Sequence, residues 1–81
     1  MEFEYRKLRE RIKEVYKTEQ NFAKALSIGR VSLSKRLNNE LDFSRMEILR
    51  ACELLGIEPS EASRYFFSRS VQEHEQMSKL G

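Results

Sequence analysis

Between residues 20 and 39 the chain carries Lys24, Arg30, Lys35 and Arg36 and no acidic residue. A cationic stretch of this kind is where a polyanion docks. Leu33 and Leu37 stand four residues apart within it, so on a helix they share one face. At about 100° per residue the opposite face holds Val31, Ser32, Lys35, Asn38 and Asn39. That face suits the major groove of double-stranded DNA, which admits one helix and presents acceptors on guanine, donors and acceptors on adenine, and a methyl group on thymine. Lys35 and Arg30 can read guanine, Val31 can pack on a thymine methyl, and Ser32 or Ser34 can hydrogen-bond to either kind of base edge. Arg36 lies nearer the side of the helix, where a phosphate would pass. Val31 is the most telling of these residues. A β-branched aliphatic on a polar helix face lowers helix propensity, and on a DNA-facing surface it has a binding partner.

Other chemistries find no footing. No His is paired with an acid, no nucleophile has a base beside it, and no glycine-rich loop can cradle a phosphate, so neither an enzyme nor a small-molecule substrate is expected. Cys52, one turn from Ile48 and without an activating neighbour, reads as a small core residue, and His74 stands alone in a polar tail. No Cys and His spacing resembles a zinc site, so no metal or cofactor is expected. The basic residues of the first segment, Arg6, Lys7, Arg9, Arg11 and Lys13, are interleaved with Glu10 and Glu14 at helix-pairing distances and read mostly as a salt-laced surface.

The elements that must position these residues follow from periodicity and caps. Tyr5, Leu8, Ile12, Val15 and Tyr16 recur at three- and four-residue steps and predict an amphipathic helix over residues 4–17. Thr18 offers an N-cap to a short second helix with Phe22, Ala23 and Leu26 inward, and Ser27, Ile28 and Gly29 break it. A third helix runs from Arg30 to about Asn38. Ser44 and Glu47 form a capping box that opens a fourth, with Met46, Ile48, Leu49, Cys52 and Leu55 turned inward and Gly56 as its stop. Pro59 suits the first position of a fifth, with Ala62, Tyr65 and Phe66 facing the core. The predicted fold is all-α: a five-helix helix-turn-helix domain over residues 1–67, followed by a short polar tail over residues 68–81.

Bulk properties agree. With 81 residues there is room for one domain and one modest core, and 40% hydrophobic against 35% charged residues is the balance of a folded, helix-rich chain. The net charge of +2 is unevenly placed: residues 1–37 hold ten Lys and Arg against five acids, residues 38–81 five against eight. Neither a signal peptide nor a membrane-spanning apolar run is seen, and a single cysteine forms no internal bridge, so a cytoplasmic location is expected.

The run Phe22-Ala23, the turn Leu26-Ser27-Ile28, the stretch from Ser32 through Leu33, Ser34, Lys35, Arg36, Leu37 and Asn38 to Asn39, and the closing Tyr65-Phe66-Phe67 resemble the phage repressor and Cro family of helix-turn-helix proteins. The likeness covers about residues 4–67 and is greatest to short Cro-like regulators of temperate phages from Gram-positive bacteria. It implies a λ-repressor-like domain in which Arg30, Val31, Ser34 and Lys35 match base-reading positions. It also places Thr18, Gln20, Asn38, Asn39 and Arg45 where the family holds phosphates. Glu19 stands where the family often has Gln, so its acid must turn toward its own helix dipole and leave the contact to Gln20. The expected function is a sequence-specific repressor that binds a palindromic operator on double-stranded DNA as a homodimer. The alternative is a protein-binding module on the same fold, such as an antitoxin or inhibitor. Tyr65, Phe66 and Phe67 span about 200° of a helix, so at least one ring must face outward and anchor the dimer, Phe67 best of the three.

Overall fold

The computed structural model describes residues 3–69, and within them the fold is all-α. Five α-helices follow one another among the described residues: α1 (Arg6–Tyr16), α2 (Glu19–Leu26), α3 (Arg30–Leu37), α4 (Arg45–Leu55) and α5 (Ala62–Phe66), the last preceded by a 3₁₀ turn over Pro59–Glu61. Helices α2 and α3 with the short turn between them form the helix-turn-helix. No helix among the described residues is long and apolar enough to cross a membrane. The predicted tail from residue 70 onward lies outside the described residues.

The core assembles from side chains four residues apart on each helix. Leu8 and Ile12 of α1, Phe22 of α2 and Leu33 of α3 are fully buried, and Ala23 is small where α2 approaches its neighbours. Local chemistry sets the boundaries. Thr18 accepts a hydrogen bond from the Asn21 N–H at 3.1 Å, and Ser44 with Glu47 completes a capping box at α4. Gly56 ends α4 in the left-handed region at φ 67°. The last turn of α4 carries no basic residue of its own, and Arg11 supplies the charge by donating from Nε to the Leu55 carbonyl at 2.9 Å and from a terminal nitrogen to that of Gly56 at 3.2 Å.

Several expectations change. Helix α1 begins at Arg6 rather than Glu4, because Phe3 and Glu4 pair with the other end of the described chain: Phe3 forms an antiparallel bridge with Arg69, and the Glu4 N–H donates to the Ser68 carbonyl at 2.7 Å. The two ends of the described chain therefore meet. Val15 is exposed, because Tyr16 takes the core side of the last turn by packing on Phe22 with ring centroids 5.5 Å apart. Met46 and Leu49 are also exposed, at 70% and 48%. Ile48, Ala51, Cys52 and Leu55 define the inward direction of α4, and Met46 lies nearly opposite it.

Candidate nucleic-acid interface

The turn that presents α3 is made by backbone hydrogen bonds. Ser27 adopts the left-handed region at φ 65°, and the N–H groups of Ser27 and Ile28 donate back to the carbonyls of Lys24 and Ala23 at 3.1 and 3.0 Å, the pattern of a Schellman stop. Gly29 is the N-cap of α3 in an extended conformation, and a Cβ there would meet nothing within 4 Å, so the turn uses glycine without requiring it.

Leu33 and Leu37 anchor α3, and of the face expected opposite them Val31 and Lys35 are exposed on the helix, whereas Ser32 is half-buried against Arg36 and Asn39 lies beyond the helix end. Val31 is 68% exposed, Arg30 and Lys35 are exposed, and Ser32 and Ser34 are half-buried at its flanks. Neither Arg30 nor Lys35 forms an ion pair with any described residue. Glu19, the acid at the edge of this surface, is held by Arg9 at 2.9 Å. Arg9 also donates to the Leu37 carbonyl at 3.3 Å and to the Asn38 side chain at 3.2 Å, so it ties the start of α2 to the end of α3 while cancelling the charge of Glu19. This partner, rather than the helix dipole alone, turns Glu19 away from the α3 face.

Three polar residues expected at phosphates are engaged within the domain. The Arg36 guanidinium donates to both carboxylate oxygens of Glu47, at 3.0 and 3.3 Å, and to the backbone carbonyl and hydroxyl of Ser32, at 2.9 and 3.1 Å. With side chains only 15% and 20% exposed, Arg36 and Glu47 form a forked pair that fastens α3 to α4. Burial pushes the Glu47 carboxyl up, but the Ser44 backbone N–H, the Arg36 hydrogen bond and charge, and the Ser44 hydroxyl outweigh it and hold the group below its ordinary range. Asn39, at φ 63°, accepts from the Phe3 N–H at 3.0 Å and donates to the Phe3 carbonyl at 2.9 Å, acting as a strand edge for the N-terminal segment. Asn38 accepts from Arg9 and donates to Ser34 at 3.5 Å. Thr18, Gln20 and Arg45 are exposed, although the Thr18 hydroxyl oxygen already caps α2.

The aromatic run resolves unequally. Phe66 is 1% exposed and packs edge-on against Phe43 at 5.1 Å, so it belongs to the core and cannot line an interface. Tyr65 is half-buried. Phe67 is 50% exposed, but Phe3 covers one side of it, with centroids 5.7 Å apart. Phe43 was not anticipated from sequence. It is buried between Tyr5 and Phe66, and the signal for it is an aromatic residue directly before the Ser44 cap of α4. Burial, and the nearby Asp42 charge, push the Tyr5 hydroxyl up. Burial likewise raises the Cys52 thiol. Among the described residues no three His, Cys, Asp or Glu side chains gather where they could hold a metal ion.

No curated protein matches the chain. Residues 1–69 match a family model described as Protein of unknown function (DUF739), a span that closes at Arg69, where the chain bridges back to Phe3. The chain therefore belongs to the DUF739 family.

Proposed function

We propose that this protein is a sequence-specific DNA-binding transcriptional regulator, a Cro-like repressor of the phage or prophage type. It inserts α3 into the major groove and binds a palindromic operator as a homodimer in the cytoplasm. The observation that carries this reading is the outward face of α3, where Arg30, Val31 and Lys35 are exposed together and neither cation is ion-paired with any described residue. Unpaired cations on a rigid helix lose little on meeting a phosphate or a guanine edge, because no existing ion pair has to break. Lys35 and Arg30 read base edges, Val31 packs on a thymine methyl, and Ser34 and Ser32 contribute weaker contacts. Thr18, Gln20 and Arg45 hold the backbone, while Arg36 and Asn39 keep the reading helix in place from inside the domain. Occlusion of a promoter is the simplest mode of action for a surface of this size.

The test is titration onto genomic fragments at two salt concentrations. Binding through several phosphates weakens steeply as salt rises, with a slope of about −0.9 per phosphate neutralised. A protein that binds no fragment at low salt, or binds with no salt dependence, overturns the proposal. A protein-binding module on the same fold is the competing reading, and the exposed apolar side chains of α4 are the observation that favours it.

A further inference from the structure

The outer face of α4 has no partner within the fold. Met46 and Leu49 project from the first half of the helix, and an open groove of about 520 Å³ runs past them to Ile57 and Pro59. Apolar side chains left uncovered beside an open groove gain by burial against a partner. Arg50 and Glu53 line the same groove, both exposed and neither ion-paired with any described residue.

The order of these groups along the helix identifies the occupant. Met46 and Leu49 stand toward the N-terminal end of the groove and Ile57 and Pro59 toward its far end. Of the charged residues that line it, Glu47 is already paired with Arg36, which leaves Arg50 and Glu53, three residues apart, as its unpaired cation and anion. Such a face complements itself. If a second α4 lies antiparallel across a two-fold axis passing between Arg50 and Glu53, each Arg50 meets the other copy's Glu53. Met46 and Leu49 of each copy then rest on the Ile57 and Pro59 end of the other. A parallel arrangement would instead bring like charges together, and a strongly acidic or basic partner would be repelled by one of the two. We propose that the outer face of α4 is a homodimer interface of this isologous, antiparallel kind. The inference rests on the homodimeric reading given above for its biological use, and it moves the contact away from the aromatic run, whose one well-exposed ring is already packed on Phe3.

Sedimentation velocity of the full chain without DNA, over a range of concentrations, tests the contact. Wild type self-associates. Arg50→Glu sets acids against acids across the axis and Glu53→Arg sets bases against bases, and each weakens self-association about tenfold or more. An equimolar mixture of the two variants faces unlike charges again and recovers association close to wild type. Both positions are exposed, so circular dichroism of the variants matches wild type. A wild type that stays monomeric throughout, a single variant that associates like wild type, or a mixture that fails to recover overturns the interface. The DNA titration separates this outcome from the functional reading. A protein that dimerises as described without binding DNA loses the operator reading and keeps the interface, whereas one that binds DNA sequence-specifically as a monomer loses the interface and the homodimeric mode of binding and keeps the DNA-binding reading.

Discussion

The outward faces of α3 and α4 are both exposed and both orphaned by the core, yet they are chemically opposite. On α3 the exposed positions are cations without counter-charges around a single valine. On α4 they are a methionine and a leucine beside one unpaired charge of each sign, Arg50 and Glu53. A uniformly positive face is satisfied by a polyanion, which brings the missing charge, whereas a face carrying both signs and apolar knobs is satisfied by a copy of itself. Helices α3 and α4 are joined by the Arg36 to Glu47 pair, whose Glu47 also lines the α4 groove, so a change at the pair reaches both helices.

Cutting that joint has the largest expected effect. Glu47→Ala removes the acid of the capping box and leaves Arg36 half-buried without its partner, which should destabilise the domain by about 2 to 3 kcal/mol in chemical denaturation. Arg36→Ala should lower stability as well, and leave the salt slope of DNA binding unchanged because Arg36 does not face outward. A slope flattened by about one unit would instead return Arg36 to a phosphate. The same joint is pH-dependent. The folded-state pKa of Glu47 is depressed, so its contribution is fully present above the pKa of the unfolded chain's glutamate. It is lost as pH falls through the lower, folded-state value. Denaturation midpoints measured down the acid range should therefore fall less steeply in Glu47→Gln than in wild type, and parallel profiles would refute the linkage.

Lys35→Ala comes next and acts on α3 alone. It should weaken operator binding by about 1 to 3 kcal/mol and leave the melting temperature unchanged. If operator affinity stays at the wild-type level, α3 is not the reading element. Ser44→Ala acts on α4 alone and is smaller: loss of one capping hydrogen bond should lower stability by about 0.5 to 2 kcal/mol, read from melting curves.

What could be read from the residues divides along the same line. The starts of α2, α3 and α4 were legible because caps and stops are local: Thr18 before α2, Gly29 before α3 and the Ser44 and Glu47 box each act within four residues, whereas Pro59, expected as the first residue of the fifth α-helix, opens a 3₁₀ turn and α5 begins only at Ala62. The outward face of α3 followed from two leucines one turn apart. What was not legible joins residues distant in sequence. Arg36 meets Glu47 eleven positions away and Asn39 meets Phe3 thirty-six away, and no period in the sequence announces either contact. The direction of α4 was misjudged for another reason. Met46, Ile48, Leu49, Ala51, Cys52, Leu54 and Leu55 wrap most of the helix with apolar groups, so the stripe alone does not say which side the core takes.

Val31 and Met46 are almost equally exposed apolar side chains, at 68% and 70%, one on each face. Replacing either with a polar residue, Val31→Ser or Met46→Gln, should change the stability of the monomer by no more than about 0.5 kcal/mol, because neither side chain contributes to the core. Their binding phenotypes should then separate. Val31→Ser should reduce discrimination for operators with thymine opposite that position and leave self-association untouched. Met46→Gln should weaken self-association, and its operator binding should weaken only through the loss of dimer, so that the deficit shrinks as protein concentration rises. Operator titrations at several protein concentrations, paired with sedimentation of the same samples, measure both effects. If Val31→Ser shifts the sedimentation profile, or Met46→Gln alters base preference at saturating protein, the division of labour between the two faces is wrong.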